Sequence, residues 1–340
     1  MNSAINRQFR LKYRPEHRVT RDHFDFVEEP LPQPGPGQAL LRNLYLSLDP
    51  TNRIWMSDME QYMPPVQLGD VMRGSGIAQV IASQDPHYQV GDLVMGLIGW
   101  QDYTMTDQAL RYAPLPKGLP LDLPTVLGVL GPTGLTAYFG LLEVGQPKSG
   151  ETVVISAAAG AVGSIVGQIA QLKGCRAVGI TGSSEKCAWL TGELGFAAAV
   201  NHRDLGWKDQ LKQACPNGVD INFENVGGEI LDTVSSLLKL RARIVLCGLI
   251  SAYNNGHSMA SRADLVPILM KRARIEGFIV LDFAERFAEA QAELGQWLIA
   301  GKLKHRETIV EGLEHVPEAF NKLFDGDKIG KLMVKIADPQ

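Results

Sequence analysis

The stretch TVVISAAAGAVGSIVGQIA, residues 152–170, decides the fold of this 340-residue chain. Its first residues, Thr152–Ile155, are apolar or β-branched and follow Gly150, which is typical of a short buried strand. Apolar residues then recur at helical spacing to the end of the stretch. Between strand and helix, residues 157–163 read A-x-x-G-x-x-G, a variant of the dinucleotide-binding fingerprint with alanine in the first glycine position.

The glycines of this turn have specific physical uses. Gly160 has no side chain to keep a pyrophosphate away from the backbone N–H groups, and Gly163 allows the helix to pack close to the strand. The helix N-terminus adds unpaired N–H donors and a partial positive charge. The turn therefore predicts a dinucleotide site at Gly160, Ala161, Val162 and Gly163. The alternative is a helix start that is merely rich in glycine and alanine.

Short apolar stretches alternate with helical ones beyond this unit. The further candidate strands are 176–181, 197–200, 219–224, 242–247 and 275–280. Short buried strands joined by helical crossovers predict an α/β fold with a doubly wound parallel sheet of the Rossmann type.

The first third of the chain has another pattern. Pro and Gly punctuate it, and its short apolar stretches are 38–45, 76–81 and 92–98. Such strands predict a mostly antiparallel, barrel-like domain or a sandwich. The last strand, 332–336, is expected to return to this domain. We therefore expect residues 1–128 and 303–340 to form the barrel-like domain and residues 129–302 to form the dinucleotide-binding domain.

Composition narrows the possible functions. The chain has 33 Lys and Arg against 37 Asp and Glu, a net charge of −4, which gives no reason to expect nucleic acid or an anionic membrane as partner. The four cysteines form no CxxC pair and the histidines no HxxxH pair, so no metal site is expected. Scattered cysteines, no apolar leader and no run of about 18 apolar residues favour a cytoplasmic protein without a membrane span.

The end of the second parallel strand favours NADPH over NADH. An NAD site usually has an acidic residue there, about 20 residues after the glycine turn. Here Thr181 is followed by Gly182 and Ser183, and Lys186 comes one helical turn later. A hydroxyl and an ammonium suit a 2′-phosphate. Glu185 leaves binding of a ribose hydroxyl open as an alternative.

Several stretches along nearly the whole chain resemble a known family. They are 48–50, 134–138, 157–164, 182–186, 223–228, 247–254 and 310–313. In this order they resemble the zinc-independent medium-chain dehydrogenases/reductases. Within these they are most similar to the NADPH-dependent alkenal/one oxidoreductase group, which includes prostaglandin reductase (leukotriene B4 12-hydroxydehydrogenase), plant double-bond reductases and bacterial curcumin reductase. The resemblance implies a Rossmann domain beside a GroES-like domain, and NADPH-dependent reduction of the C=C bond of α,β-unsaturated ketones or aldehydes.

The resemblance also places further residues at the cofactor. The positions that would contact NADPH are Gly160, Ala161, Val162, Gly163, Gly182, Ser183, Lys186, His202, Asn225, Cys247, Gly248, Ile250, Ser251, Tyr253, Phe278, Val280 and Lys328. Two of them depart from the family, because His202 stands where Tyr is frequent and Lys328 where the pattern G-x-N-x-G-K has Asn. The stretch 47–53, where zinc alcohol dehydrogenases have an early Cys ligand, has neither Cys nor His, so a zinc-assisted carbonyl reduction has no Lewis acid.

Conjugate reduction without a metal needs a hydrogen-bond donor at the carbonyl oxygen, where negative charge develops as hydride reaches the β-carbon. Tyr253 is the candidate, since it lies just past the fifth strand of the parallel sheet, at the edge where such sheets bind ligands. Tyr62 and Asn52 of the first domain are the candidate substrate contacts. The alternatives are a Tyr253 that only packs over the cofactor and a Tyr62 that is an ordinary loop aromatic.

Two other functions stay open at this point. One is an NADPH:quinone reductase of the same fold, and the other is a non-catalytic NADPH-binding protein that acts as a redox sensor. The resemblance also implies a homodimer that joins through sheet edges near Ile275–Val280.

Overall fold

The computed structural model describes residues 5–106, 112–118, 120–256 and 263–340. The strands are β1 (Ile5–Leu11), β2 (Phe24–Pro30), β3 (Ala39–Ser47), β4 (Ser75–Ser83), β5 (Leu93–Leu97), β6 (Tyr103–Met105), β7 (Ala113–Pro114), β8 (Thr152–Ile155), β9 (Arg176–Thr181), β10 (Ala198–Asn201), β11 (Val219–Glu224), β12 (Leu238–Leu246), β13 (Arg274–Gly277), β14 (Glu307–Glu311) and β15 (Lys331–Lys335). The α-helices are α1 (Thr51–Trp55), α2 (Leu123–Thr125), α3 (Pro132–Phe139), α4 (Ala161–Leu172), α5 (Ser184–Gly192), α6 (Trp207–Ala214), α7 (Gly228–Ser236), α8 (Val266–Lys271), α9 (Phe287–Ile299) and α10 (Val316–Asp325).

The six-stranded sheet has the order β10-β9-β8-β11-β12-β13, and its strand pairs are parallel. Both of its faces are covered. Along β8, Val153 and Ile155 join the apolar core on one face and Val154 joins the core on the other. All three are fully buried, and burying each such side chain contributes about 1.5–3 kcal/mol. The predicted doubly wound parallel sheet is confirmed.

A second sheet has the order β14-β15-β3-β4-β5-β7, with β6 also paired to β3. Its pairs are antiparallel except for β14 with β15. The last strand, β15, pairs with β3, so the carboxyl-terminal segment lies in the same sheet as the amino-terminal strands. The predicted antiparallel, barrel-like sheet is confirmed, while the domain limits stay a prediction. Below, the sheet that contains β3 is called the barrel sheet.

Several elements differ from the sequence expectations. Strands β1, β2, β6 and β7 were not predicted, and β12 begins at Leu238 rather than at residue 242. Strand β13 ends at Gly277 rather than continuing to Val280, because a 3₁₀ turn begins at Val280, next to Ile279, whose N–H donates to Asp282. Strand β14 was missed, since its sequence Glu-Thr-Ile-Val-Glu has acidic ends and half-exposed apolar residues that do not read as a buried strand.

The segment 123–145 is helical apart from a break at Gly131, and π-helical turns flank α3. Gly131 and Pro132 interrupt the regular hydrogen-bond ladder, which accounts for the break before α3. The stretch is 23 residues long, and its length and composition are those of a helix that can cross a membrane. In the part of the chain that the structure describes, 78% of its most apolar window is buried inside the protein. Buried core helices of soluble proteins can have the same length and composition.

Candidate functional site

The glycine turn connects β8 to α4. Ala157, in the first position of the fingerprint, has a left-handed backbone with φ of +48°, a conformation that glycine adopts more readily. The Gly160 N–H donates to the Ala157 carbonyl at 2.9 Å, and α4 begins at the next residue. Gly160 is the N-cap and has no side chain to accept from the first N–H groups of the helix. These donors therefore remain available to an anion.

Gly163 lies in the first turn of α4, directly against this bend. A Cβ atom on Gly163 would lie 2.7 Å from the Ala157 carbonyl oxygen and 2.8 Å from the Ala158 Cα. Both neighbours are backbone atoms that cannot rotate away. The close approach of helix to turn therefore requires glycine at this position, as the fingerprint predicts.

The carboxyl-terminal segment lies on the same turn. The Gly330 N–H donates to the Ala159 carbonyl at 2.8 Å, and Lys328 Nζ donates to the Gly330 carbonyl at 3.1 Å. Burial, with smaller effects of the charges of Lys331 and Lys186, lowers the pKa of Lys328 to about 7. Lys328, which stands where the family pattern has Asn, thus lies at the pyrophosphate end of the candidate cofactor site.

Lys186 and Ser183 lie at the end of β9. Ser183 is the N-cap of α5, and its hydroxyl accepts the Lys186 N–H at 3.3 Å. Lys186 Nζ donates to the Gly326 carbonyl, and burial, together with the charge of Arg203, lowers the pKa of Lys186. The ammonium is therefore half-buried at the sheet edge, where the resemblance puts a 2′-phosphate.

Two basic side chains after β10 face the same place. A Cβ atom on Gly182 would lie 3.3 Å from His202 Nε2 and 3.5 Å from Arg203 Nε. Arg203 Nη2 donates to the Asp325 carbonyl at 3.2 Å. Burial and the neighbouring Arg203 lower the pKa of His202. Sequence reasoning named His202 and missed Arg203, although the signal was there: a basic residue directly after a strand that ends at the same sheet edge as β9.

A buried carboxylate connects the ends of β8 and β11 by hydrogen bonds. Glu224 is fully buried, and its Oε1 accepts the Ser156 hydroxyl at 2.7 Å and the N–H groups of Val226 and Gly227 at 2.7 and 2.9 Å. Asn225 donates its side-chain amide to the Ser156 carbonyl at 2.8 Å, which leaves its oxygen for a ligand. The sequence did not indicate a role for Glu224, because a carboxylate at the end of an apolar strand does not show which groups will hydrogen bond to it.

The loop after β12 packs on the loop after β11. The Ile250 N–H donates to the Asn225 carbonyl at 3.1 Å, and the Ser251 hydroxyl donates to the Val226 carbonyl at 2.6 Å. Burial, with a smaller effect of Glu224, raises the pKa of the Cys247 thiol to about 12. Cys247 is therefore an uncharged thiol at neutral pH.

Tyr253 folds back over Gly248 at the end of this loop. Its Oη accepts the Leu249 N–H at 3.1 Å and lies 3.2 Å from the position of a Cβ atom on Gly248. An oxygen that accepts a backbone N–H keeps its own O–H free to donate. Burial raises the pKa of Tyr253, with smaller contributions from Cys247 and Tyr62. The Tyr253 phenol therefore stays protonated at neutral pH.

Tyr62 and Asn52 come from the barrel sheet side. The Tyr62 hydroxyl accepts the Trp55 Nε1–H at 3.0 Å and shares a hydrogen bond with Thr51, while 41% of the residue is exposed. Asn52 is 1% exposed, and its amide accepts the Asp49 N–H and donates to the Arg73 carbonyl. The structure thus places Asn52 inside the framework of its turn. Its contact with substrate stays a prediction.

Phe278 and Val280 follow β13. A Cβ atom on Gly140 would lie 2.5 Å from Phe278 Cζ and 2.9 Å from the Phe223 ring, so the Phe278 ring packs into the core of the parallel-sheet region. Val280 packs against the same core. Their expected place beside the nicotinamide stays a prediction.

The stretch 47–53 holds an ion pair rather than a cluster of metal ligands. Lys331 Nζ is 4% exposed and donates to Asp49 Oδ1 at 2.6 Å, and the Ser47 hydroxyl donates to the other Asp49 oxygen. Among the described residues, no group of three or more His, Cys, Asp or Glu side chains is arranged to hold a metal ion. The absence of a bound metal stays a prediction.

Comparison with known proteins agrees with this geometry. Residues 7–111 match the family described as the N-terminal domain of oxidoreductase, and residues 161–296 match the zinc-binding dehydrogenase family. The chain is 44% identical over 340 residues to the NADPH-dependent curcumin reductase of Escherichia coli, with 98% of this chain and 97% of that protein covered. The chain belongs to the NADPH-dependent alkenal/one oxidoreductase group of the medium-chain dehydrogenases/reductases.

Other members of this group are also similar to the chain. The 2-alkenal reductase (NADP(+)-dependent) of Nicotiana tabacum is 40% identical over 306 residues, with 89% of this chain and 88% of that protein covered. The crystal structure of CurA in complex with NADPH from Vibrio vulnificus has a TM-score of 0.92 at 43% identity and covers 98% of this chain and 100% of its own. The predicted family is confirmed, and so is its pairing of a Rossmann domain with a GroES-like sheet.

Proposed function

We propose that this protein is an NADPH-dependent reductase of the C=C bond of α,β-unsaturated ketones and aldehydes. The observation that carries the proposal is the Tyr253 hydroxyl, which accepts the Leu249 N–H and keeps its own O–H free at the edge of the parallel sheet. The curcumin and 2-alkenal reductases among the relatives support the same reaction.

The residues at the sheet edge fit NADPH. The uncapped N-terminus of α4 and Lys328 suit the pyrophosphate, while Lys186 and Arg203 suit the 2′-phosphate. NADPH supplies the hydride when it is bound. The neighbouring cations and N–H donors would hold its phosphates.

Tyr253 acts on the substrate oxygen. Because burial raises its pKa, the phenol is protonated at neutral pH and donates a hydrogen bond to the carbonyl oxygen. That bond strengthens as the oxygen gains the negative charge of an enolate, which lowers the barrier. A proton from solvent then adds to the α-carbon of the enolate and completes the reduction. The half-exposed Tyr62 contacts the substrate from the barrel sheet side.

The test is the rate of NADPH oxidation with a panel of enones, alkenals and quinones. Tyr253→Phe should lower kcat on enones by about 100-fold or more with little change in the Kd for NADPH, because it removes the donor to the substrate oxygen and, besides that, only the acceptor of the Leu249 N–H. Tyr103→Phe, on strand β6, is the matched control and should retain the wild-type kcat. Turnover of quinones alone would favour the quinone reductase, and no turnover of any acceptor would favour the redox sensor. An unchanged kcat in Tyr253→Phe would contradict the donor role.

We also propose that the protein is a homodimer joined at strand β13. This strand is the outer one of the parallel sheet, pairs on one side with β12, and has four exposed residues. The strand at the opposite edge, β10, is partly covered by α6 and ends in two buried residues. Ile275 within β13 is exposed, and so are the apolar side chains that flank the strand, namely Leu265, Val266, Leu269, Met270 and Leu281. An unpaired edge beside an apolar patch suits a second copy of this chain about a two-fold axis.

A cytoplasmic location is part of the proposal. The structure describes all four cysteines, and all are free. Cys175 and Cys215 are buried, and burial raises the pKa of Cys215 to about 11. Thiols of this kind suit a reducing compartment.

A further inference from the structure

Arg53 joins helix α1 of the barrel sheet region to the segment that contains Tyr253. Its Nε donates to Asn254 Oδ1 at 3.2 Å, and its Nη2 donates to the Pro15 carbonyl at 2.6 Å. Asn254 follows Tyr253 directly in the chain. A single guanidinium therefore connects the amino-terminal segment, helix α1 and the residue next to the candidate donor.

The same segment is attached at two further points. His17 Nδ1 hydrogen bonds to the Asn254 carbonyl at 3.1 Å, and the Gly256 N–H donates to the Glu16 carbonyl at 3.0 Å. Residues 15–17 thus run alongside residues 254–256. On its other side, Tyr253 is held by the Leu249 N–H of its own loop. Tyr253 therefore lies between an attachment to the parallel-sheet region and an attachment to the barrel sheet region.

Burial of Arg53 lowers the stability of the fold. Arg53 is 1% exposed, and its hydrogen bonds go to neutral oxygens. Among the described residues, its buried Nη1 has no hydrogen-bond partner and no carboxylate lies within ion-pair distance. A buried charge without a counter-charge, and a buried donor without an acceptor, both lower the free energy of unfolding. The unfavourable burial of Arg53 is accompanied by its contact with Asn254.

We propose that Arg53 is a positioning residue, which acts through Asn254 to set the place of the Tyr253 hydroxyl relative to helix α1 and Tyr62. The inference rests on the donor role of Tyr253 in the proposed function. Tyr62, the candidate substrate contact, follows α1, the helix that contains Arg53. The link therefore fixes the donor to the region that holds the substrate, and a displacement of about 1 Å between such groups can cost about 100-fold in rate.

The first experiment measures the link itself by hydrogen–deuterium exchange of the backbone N–H groups of residues 249–256. Asn254→Ala removes the acceptor and should speed exchange in this segment. Asn254→Asp keeps an oxygen at the same place and should retain slow exchange. The matched control is Arg14→Gln, since among the described residues Arg14 Nη1 donates to the carbonyls of Met56 at 2.9 Å and Ser57 at 3.3 Å and not to Asn254. Equal exchange in wild type and Asn254→Ala would overturn the proposal.

The second experiment is a double-mutant cycle on the rate of enone reduction. Asn254→Ala should lower kcat about tenfold with an unchanged KM for NADPH, Asn254→Asp should restore most of the rate, and Asn254→Ala should have little further effect in a Tyr253→Phe background. Equal losses in both backgrounds would overturn the positioning role, and so would a failure of Asn254→Asp to rescue. A Tyr253→Phe variant with wild-type kcat would contradict the donor role and with it the positioning role, while the exchange rates would still report whether the link holds the segment.

Discussion

The ammonium of Lys328 lies 3.3 Å from the position that a Cβ atom on Gly160 would occupy. The two residues are far apart in the chain and meet because the Gly330 N–H donates to the Ala159 carbonyl. The carboxyl-terminal segment thereby adds a cation to a turn that is otherwise built from backbone N–H donors. This contact makes the charge state of Lys328 part of the candidate pyrophosphate site.

The affinity for NADPH is expected to fall as pH rises above about 7. Burial lowers the pKa of Lys328 to about 7 in the free protein, and a bound phosphate favours the charged form and raises that pKa. Binding therefore takes up a proton, so the added affinity is fully present below the pKa of the free protein and is lost as pH rises through the pKa of the complex. The measurement is the Kd for NADPH, determined by fluorescence titration at pH values below and above the pKa of Lys328. Lys328→Met should bind more weakly with a flatter profile, while Lys302→Met, at an exposed site, should keep the wild-type slope. A wild-type Kd that does not vary with pH would disprove this linkage.

Gly163→Ala should lower both the free energy of unfolding and the affinity for NADPH. The added Cβ would collide with the backbone of Ala157 and Ala158, so α4 or the turn must shift. Forcing extra volume into packed backbone typically costs about 1–3 kcal/mol. Thermal unfolding and the Kd for NADPH measure the two effects. Gly192→Ala is the control, because nothing lies within 4 Å of the new Cβ, and it should raise stability by up to about 1 kcal/mol. Equal Tm values for the two variants would refute the steric argument.

Lys186→Ala and Arg203→Ala should each raise the KM for NADPH and leave that for NADH nearly unchanged. Both cations lie beside Gly326, and Arg203 also lies beside Gly182, where the 2′-phosphate is placed in the proposed function. A hydrogen bond to a charged group contributes about 1.5–3 kcal/mol, so each loss should amount to about 10- to 100-fold. Steady-state kinetics with both cofactors check this expectation. A similar loss with NADH would show that the residues act on the fold rather than on the phosphate.

Leu269→Glu should convert the proposed dimer to a monomer. Leu269 is 68% exposed beside the outer strand β13, and a charge in an apolar interface between two copies is costly. Light scattering after size-exclusion chromatography gives the mass. Leu205→Glu is the matched control, since Leu205 is fully exposed near the opposite edge of the sheet and should leave the mass unchanged. A monomeric wild type would exclude the dimer.

The elements of the parallel sheet could be predicted closely because their signals are local. Strands β9 and β11 have the bounds predicted from their apolar runs, 176–181 and 219–224. Buried strands between turn residues are well marked in the sequence, whereas the polar edge strand β14 is not. The end of β13 was misplaced because the 3₁₀ turn that stops it depends on the Asp282 side chain and not on the apolar pattern.

The sequence by itself determined the strand–turn–helix unit around Gly160, the alternation of strands and helices, the cofactor class and the family. Each of these depends on residues that are neighbours in the chain or on motifs that stand in order. Only the tertiary structure decided which distant side chains meet. It brought Lys328 to the glycine turn, Arg203 to Lys186, and Arg53 to the residue after Tyr253. Such contacts depend on how the two sheets pack and on the burial that shifts the pKa of each group. Neither is encoded at any single stretch of the chain.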